Sequence, residues 1–139
     1  MKWTNKGHEY DDMYMNITKK KVFYMFGAGD YGKQFKNMFE HEIELAGYID
    51  NDSNKQGTLV NGLPCYKFDE IKITDKSAVI LTMSQIARIK AVEQLENAGY
   101  KKNEDYFIIE EFISVYYVYK YNKVYFSSVS FLPSTVCNL

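Results

Sequence analysis

Three glycines with the spacing Gly-x-Gly-x-x-Gly directly follow an apolar run near the start of the chain. They are Gly27, Gly29 and Gly32, and the run before them is Val22–Phe26. A strand that ends in a tight glycine turn directs the free N–H groups of the next helix to one point, and that point attracts an anion. The residue types and their spacing therefore predict a turn that binds phosphate through main-chain N–H groups.

Each glycine has a separate role in such a turn. The first makes the bend, the second lets a phosphate approach the backbone, and the third lets the helix pack against the strand. We expect Gly27, Gly29 and Gly32 to take those roles in that order. The complete phosphate-binding segment is then Gly27, Ala28, Gly29, Asp30, Tyr31 and Gly32.

A second predicted strand, Leu45–Ile49, ends at Asp50. In dinucleotide-binding units an acidic residue about 20 residues past the glycines binds the ribose hydroxyls, and Asp50 stands close to that place. We therefore expect Asp50, with the adjacent Asn51, to contact a nucleotide. The alternative is that Asp50, Asn51 and Asp52 only form a polar turn after the strand.

Two further strands and a helix are predicted beyond the connector that follows Asp50. Ala78–Met83 is a continuous apolar run, Gln85–Asn97 carries Ile, Val and Leu at three-residue steps, and Tyr106–Ile109 is rich in strand formers. Ser84 is suited to cap the helix, and it also lies where it could contact a bound nucleotide. Both interpretations of Ser84 stay open.

This succession of elements predicts an α/β fold with a short parallel sheet. Right-handed crossovers favour the strand order 3-2-1-4, with the ligand at the carboxyl ends of the first and third strands. Residues 1–19 are predicted to form a lead-in helix, residues 20–112 the α/β domain, and residues 113–139 a connection to a further domain. The tyrosine-rich start of that connection suits either a helix or a fifth, edge strand.

Length and charge limit the classes of function. A chain of 139 residues has the size of one domain, too small for a dinucleotide domain with a separate substrate domain. A net charge of −1 with dispersed basic residues offers no basic surface, so neither nucleic acid nor a membrane is an expected partner. Because Arg88 is the single arginine, a guanidinium clamp on a 2′-phosphate is scarcely available, and NAD is favoured over NADP.

The sequence shows neither a signal peptide nor a membrane-spanning run, which predicts a cytoplasmic protein. Cys65 and Cys137 show no sign of pairing, and His8 and His41 have no neighbours at metal-ligand spacing. No residue stands out as an acid, a base or a nucleophile. We therefore predict a binding module with no catalytic residue in this chain.

Residues 20–112 resemble the small Rossmann-type domains of bacterial polysaccharide-biosynthesis and nucleotide-sugar proteins, among them the N-terminal domains of sugar O-acyltransferases. The resemblance rests on Gly-Ala-Gly-Asp-Tyr-Gly-Lys at 27–33, Gly-Tyr-Ile-Asp-Asn-Asp at 47–52 and Gly-Leu-Pro-Cys at 62–65. It implies a Rossmann-like, three-layer fold and a nucleotide or nucleotide-sugar ligand. It also implies that Gly27, Gly29, Gly32 and Asp50 face that ligand.

The C-terminal segment, residues 124–139, resembles the first barrel strand of a radical S-adenosylmethionine enzyme. In that family a strand ending near Pro and Thr runs into Cys-Asn-Leu, as Pro133, Thr135 and Cys137 do here. The resemblance implies that Cys137 is the first ligand of a [4Fe–4S] cluster, which a longer parent protein would use with S-adenosylmethionine. A Cys-x3-Cys-x2-Cys set completed beyond Leu139 is then expected. The alternative is an edge strand that ends in Cys-Asn-Leu by chance.

The predicted function is binding of a nucleotide, NAD or a nucleotide-sugar, by a module that adjoins another domain of the same polypeptide. A second hypothesis is an NAD-dependent oxidoreductase domain that acts on a nucleotide-sugar, although no Tyr-x3-Lys pair stands in the region directly after the third predicted strand, residues 84–105. A third is a scaffold in which the glycine turn only packs helix against strand. The sequence leaves a homo-oligomer open.

Overall fold

The computed structural model describes residues 9–125, with side chains through residue 121. The helices are α1 (Glu9–Lys19), α2 (Asp30–Phe39), α3 (Gln85–Asn97) and α4 (Ile109–Tyr125). The strands are β1 (Val22–Phe26), β2 (Leu45–Ile49), β3 (Leu59–Val60), β4 (Leu63–Tyr66), β5 (Ser77–Leu81) and β6 (Tyr106–Ile108), and one 3-10 turn covers Phe68–Glu70. Among these helices, none is both long enough and apolar enough to cross a membrane.

Within residues 9–125 the strands form one six-stranded sheet in the order β3-β4-β2-β1-β5-β6. The pairs from β4 to β6 are all parallel, whereas β3 joins β4 as an antiparallel hairpin. The hairpin turn is Asn61-Gly62, and both residues have the positive φ, 50° and 84°, that a type I′ turn requires. The predicted α/β fold with a mainly parallel sheet is confirmed.

The predicted strand order 3-2-1-4 is wrong in detail. The third predicted strand, β5, pairs with β1 along its whole length and does not touch β2. The other edge of β2 is taken by β4, because the connector after β2 supplies a short strand of its own. The chain then crosses back past β1 before β5 begins. The order consequently reverses between β1 and β5, and this is the place where α/β sheets of this kind bind ligands.

The residues that follow β6 form a helix, so the fifth edge strand is wrong. α4 begins at Ile109 and carries Phe112 and Val115 into the core. The Phe112 ring makes edge contacts with several other phenylalanine rings at centroid distances of 5.4–5.9 Å; these are Phe23, Phe35, Phe39 and Phe107. Helical geometry lets these aromatic residues cover the sheet. The predicted domain boundary at residue 112 thus falls on a completely buried side chain.

Helices cover both faces of the sheet. On one face α1, α2 and α4 pack against β1 around residues such as Met13 and Phe35. On the other face Ala91 and Leu95 of α3 pack against Val79. Since β1 connects to β2 on one side and β5 connects to β6 on the other, right-handed crossovers place α2 and α3 on opposite faces. Both helices begin at the same edge of the sheet.

The bounds of α3 agree with the prediction, but its recurring isoleucines do not mark the buried face. Ile86 and Ile89 are 83% and 71% exposed, whereas Arg88, Ala91 and Leu95 are buried. A three-residue step falls short of the turn of about 3.6 residues, so residues spaced in this way rotate around the helix. Residues 86 and 95 consequently lie on opposite sides of α3.

Candidate functional site

Two of the three glycines in the turn after β1 are required by the packing of the main chain. Gly27 has a φ of +119°, and a Cβ there would lie 2.4 Å from the carbonyl oxygen of Thr82. A Cβ on Gly32 would lie 2.2 Å from the carbonyl oxygen of Gly27 and would also meet the Tyr48 ring at 2.9 Å. The first glycine therefore makes the bend, and the third lets α2 approach β1 and β2.

Gly29 is in a different situation. It precedes α2 with a φ of −98°, no side chain caps the helix, and a Cβ on Gly29 would meet nothing within 4 Å. The N–H groups of Asp30, Tyr31 and Gly32 have no acceptor within the helix, as in any first turn. The start of α2 is thus an open, uncapped set of donors with the positive end of the helix dipole behind it.

A cavity of about 430 Å³ opens onto these donors. It lies at the carboxyl ends of β1, β2 and β5, between the N-termini of α2 and α3. The lining residues are Phe26, Gly27, Gly29, Asp30, Tyr31, Asp50, Asn51, Lys55, Thr82, Met83, Ser84, Ala87 and Ala91. Of the predicted site residues, Ala28 and Gly32 support the turn without lining the cavity. The others come together around it, apart from Cys137.

Asp50 is bound to the glycine turn by its side chain. Its Oδ2 accepts the N–H of Ala28 at 2.8 Å, and its Oδ1 accepts the N–H of Asp52 at 2.8 Å. The bond to Asp52 belongs to a polar turn after β2, whereas the bond to Ala28 joins Asp50 to the glycine turn. A carboxylate oxygen has more than one acceptor site, so both oxygens retain capacity for a ligand hydroxyl on the cavity side.

Lys55 and Thr82 are cavity residues that the sequence analysis did not identify. The Lys55 Nζ lies 3.4 Å from the carbonyl oxygen of Ala28, and Lys55 is the one basic residue among those that line the cavity. The Thr82 hydroxyl lies 2.8 Å from the carbonyl oxygen of Gly27 and fixes the turn to the end of β5. The position of Thr82 directly after a buried strand could have indicated a cavity residue. The position of Lys55 in a polar turn gave no such indication.

Asn51 and Ser84 both line the cavity and both make contacts within the protein. The Asn51 and Gln94 side-chain amides pair reciprocally, with Nδ2 to Oε1 at 2.7 Å and Nε2 to Oδ1 at 3.1 Å. This pair joins the loop after β2 to α3. The Ser84 hydroxyl accepts the N–H of Ala87 at 3.4 Å and caps α3. Sequence reasoning did not identify Gln94, because its partner is 43 residues away.

The remaining candidate residues are not part of the cavity. Arg88 is buried and donates to the Met83 carbonyl at 2.8 Å and to Glu110 at 3.0 Å. Cys65 is a buried free thiol whose pKa is raised by burial and by the charge of Asp50. Cys137 lies outside the described residues. Within those residues, no group of three or more His, Cys, Asp or Glu side chains could hold a metal ion.

Comparison with known proteins identifies a family and a fold. The sequence profile of the family described as C2185-like, N-terminal, matches residues 18–106. No match is found among curated proteins.

Similar chains exist among solved structures. RSP, a Rex-family repressor solved in complex with β-NADH, is 16% identical with a TM-score of 0.50, over 82% of this chain and 66% of that chain. The UDP-D-quinovosamine 4-dehydrogenase from Vibrio fischeri is 28% identical with a TM-score of 0.48, over 59% of this chain and 75% of that chain. The similarity to RSP shows that the fold of this chain is Rossmann-like.

Proposed function

The chain belongs to the C2185-like N-terminal family, and we propose that its Rossmann-like domain binds a nucleotide, NAD or a nucleotide-sugar, in the cavity at the ends of β1 and β5. The phosphates would bind the free N–H groups of Asp30 and Tyr31, which line the cavity beside Gly29. Asp50 would accept hydrogen bonds from the ribose hydroxyls. Lys55 would balance part of the phosphate charge.

One observation carries this proposal, namely the open space at Gly29. The fold explains why Gly27 and Gly32 lack side chains, since a Cβ on either would collide with main-chain atoms. The packing does not explain Gly29, a cavity-lining residue at which a Cβ would meet nothing within 4 Å. A phosphate that approaches the backbone at this position does explain it, because it needs the space that a Cβ would occupy.

Gly29→Ala tests the proposal together with a panel of nucleotides. Thermal unfolding of the 139-residue chain is measured with NAD, NADP, UDP-sugars, coenzyme A and S-adenosylmethionine. A ligand at about a hundredfold above its Kd stabilises the fold by about 2.7 kcal/mol, a shift of several degrees for a small domain. We expect one class of ligand to give this shift with the native chain.

The variant must separate binding from folding. Gly29→Ala should melt at nearly the native temperature without ligand and should lose most of the ligand shift. Gln34→Ala, an exposed substitution in the same helix, is the matched control and should keep the shift. Equal shifts in the native chain and Gly29→Ala would show that no phosphate approaches the turn. If no nucleotide shifts the native chain, the scaffold hypothesis is favoured.

The protein to which this domain belongs is the subject of a separate proposal. A radical S-adenosylmethionine parent, with Cys137 as a cluster ligand, rests on the sequence resemblance alone. The coding sequence downstream of Leu139 tests it, because the resemblance requires a Cys-x3-Cys-x2-Cys set that begins at Cys137. An oxidoreductase that acts on a nucleotide-sugar is the alternative, and we assign no residue of this chain to a chemical step.

A further inference from the structure

The paired amides of Asn51 and Gln94 lie beside the cavity, with Asn51 in its lining. Ser84, Ala87 and Ala91 line the cavity along one side of α3, and Gln94 follows Ala91 by three residues on that side of the helix. Asn51, in the loop after β2, also lines the cavity and pairs with Gln94. The amide pair therefore lies beside a stretch of the cavity lining that α3 forms with small side chains.

The part of the cavity lined by Asn51, Ala87 and Ala91 lies where the base of a nucleotide would extend. If the phosphates bind at Gly29 and the ribose hydroxyls at Asp50, the base leaves the ribose from its remaining side. Asn51 directly follows Asp50, and Ala87 and Ala91 face it across the cavity. Alanine side chains leave room for a flat ring and present an apolar surface to it.

The chemistry of the amides matches the edge of a base. Each amide presents a donor beside an acceptor, and in the free domain these groups satisfy one another at 2.7 and 3.1 Å. Adenine presents an N–H donor beside a ring-nitrogen acceptor, and uracil presents an N–H donor beside a carbonyl oxygen. Asn and Gln are the side chains that bind such edges with two hydrogen bonds. The contact between the amides is at the surface, so opening it loses little.

We propose that Asn51 and Gln94 determine base specificity by exchanging their mutual hydrogen bonds for the edge of a nucleobase with adjacent donor and acceptor groups. This inference rests on the proposed nucleotide-binding function. It adds two residues to the site that the glycine-turn motif does not include, and it assigns them to the base and not to the phosphate or the ribose.

Nitrogen-15 NMR spectra of the 139-residue chain can separate the two proposals. The probes are NAD, UDP-glucose and ribose 5-phosphate, which has no base. The side-chain NH₂ signals are assigned with the variants Asn51→Ala and Gln94→Ala. We expect the main-chain signals of residues 29–31 to move with ribose 5-phosphate and with at least one nucleotide. The NH₂ signals of Asn51 and Gln94 should move only with the nucleotide, and the active probe then identifies adenine or uracil.

Two outcomes would overturn the inference. If a nucleotide moves the signals of residues 29–31 but neither NH₂ signal, or if ribose 5-phosphate moves the NH₂ signals equally, the amides do not recognise a base and the nucleotide site stands. If no probe moves the signals of residues 29–31, the proposed function fails and this inference fails with it.

The affinity of the active nucleotide provides a second readout. Gln94→Leu should raise the Kd of that nucleotide by about fivefold or more, which is the loss expected for one amide–base pair. The thermal stability of the variant should stay near that of the native chain. Glu93→Leu, an exposed substitution at the adjacent position of α3, is the control and should leave the Kd unchanged. An unchanged or lower Kd in Gln94→Leu would mean that the amide pair only joins the loop after β2 to α3.

Discussion

At the scale of single residues, Gly29 differs from the other two glycines of the turn in what surrounds its backbone. Its neighbours Gly27 and Gly32 serve the close packing of the turn, whereas Gly29 has free space around its Cα and a negative φ. Alanine would cost less conformational entropy on folding, but glycine is favoured over alanine at a helix N-cap, so the two effects oppose each other at Gly29. Under the proposed function, the space next to the free N–H groups admits a phosphate.

Two buried tyrosines in parallel strands differ in what their hydroxyls contact. Tyr48 of β2 is completely buried, and its hydroxyl has no hydrogen-bond partner within the described residues. Burial raises the pKa of Tyr48, and the nearby Asn61 side chain lowers it without a well-formed hydrogen bond. The Tyr106 hydroxyl of β6 donates to Glu96 at 2.9 Å. The same substitution should therefore have opposite effects at the two positions.

Tyr48→Phe is expected to raise the free energy of unfolding by about 1 kcal/mol, because it removes a buried polar group that has lost water and gained no partner. Tyr106→Phe is the control and should lower that free energy by about 1–2 kcal/mol, since it deletes a hydrogen bond to a carboxylate. Urea unfolding monitored by circular dichroism measures both. A larger loss in Tyr48→Phe than in Tyr106→Phe would show that the Tyr48 hydroxyl is satisfied in solution.

At the scale of elements, a small polar cluster fixes α4 to the end of α2. The Tyr116 hydroxyl donates to Glu42 Oε1 at 3.0 Å, and the Lys120 ammonium binds the same oxygen. The hydrogen bond from Lys120, followed by that from Tyr116, lowers the pKa of Glu42 below its ordinary value of 4.5. The packing of α4 is therefore favoured by the ionised form of Glu42.

Glu42→Gln should lower the free energy of unfolding at about pH 7 by roughly 0.2–1 kcal/mol, as expected for a partly exposed ion pair. Because the pKa of Glu42 is lower in the folded state, the contribution is present above the ordinary value of 4.5 and is lost as the pH falls through the folded value. Urea titrations at about pH 7, 5 and 3.5 should show the difference between the two proteins shrinking at the lowest pH. Glu93→Gln is the control. A difference that stays constant with pH would rule out ionisation of Glu42 as its source.

The sequence predicted those elements whose signals are local. The turn at Gly27–Gly32 follows from its spacing. The bounds of α3 follow from Ser84, which caps its start, and from Gly99 just past its end, whose φ of +90° suits a glycine. The strand order depends on where residues 51–76 cross the sheet. The Asn61-Gly62 turn predicts a hairpin, but the edge of the sheet that this hairpin joins cannot be predicted from the turn. The pairing of Asn51 with Gln94 is a consequence of that order, and so was beyond sequence reasoning.

At the scale of the whole molecule, the proposed anionic ligand would gain little long-range attraction. The net charge is −1, and Lys55 is the one basic residue among those that line the cavity. The proposed binding would therefore depend on short-range contacts. Those available are the N–H groups at the start of α2 and the ammonium of Lys55, opposed by the carboxylates of Asp30 and Asp50 that also line the cavity. Lys55 is therefore the one side chain of the cavity lining whose charge would attract a phosphate.

Lys55→Gln is expected to raise the Kd of the nucleotide that stabilises the native chain by about three- to tenfold, because a charge-assisted contact is lost from a site that still holds two carboxylates. It should also remove much of the salt dependence of binding, since salt screens the charge of Lys55 more than the contacts with main-chain N–H groups. Isothermal titration at about 50 and 300 mM NaCl measures both effects. Lys72→Gln, at an exposed position away from the cavity lining, is the control. If Lys55→Gln binds with the native Kd and the native salt dependence, Lys55 serves only to support the turn through the carbonyl oxygen of Ala28.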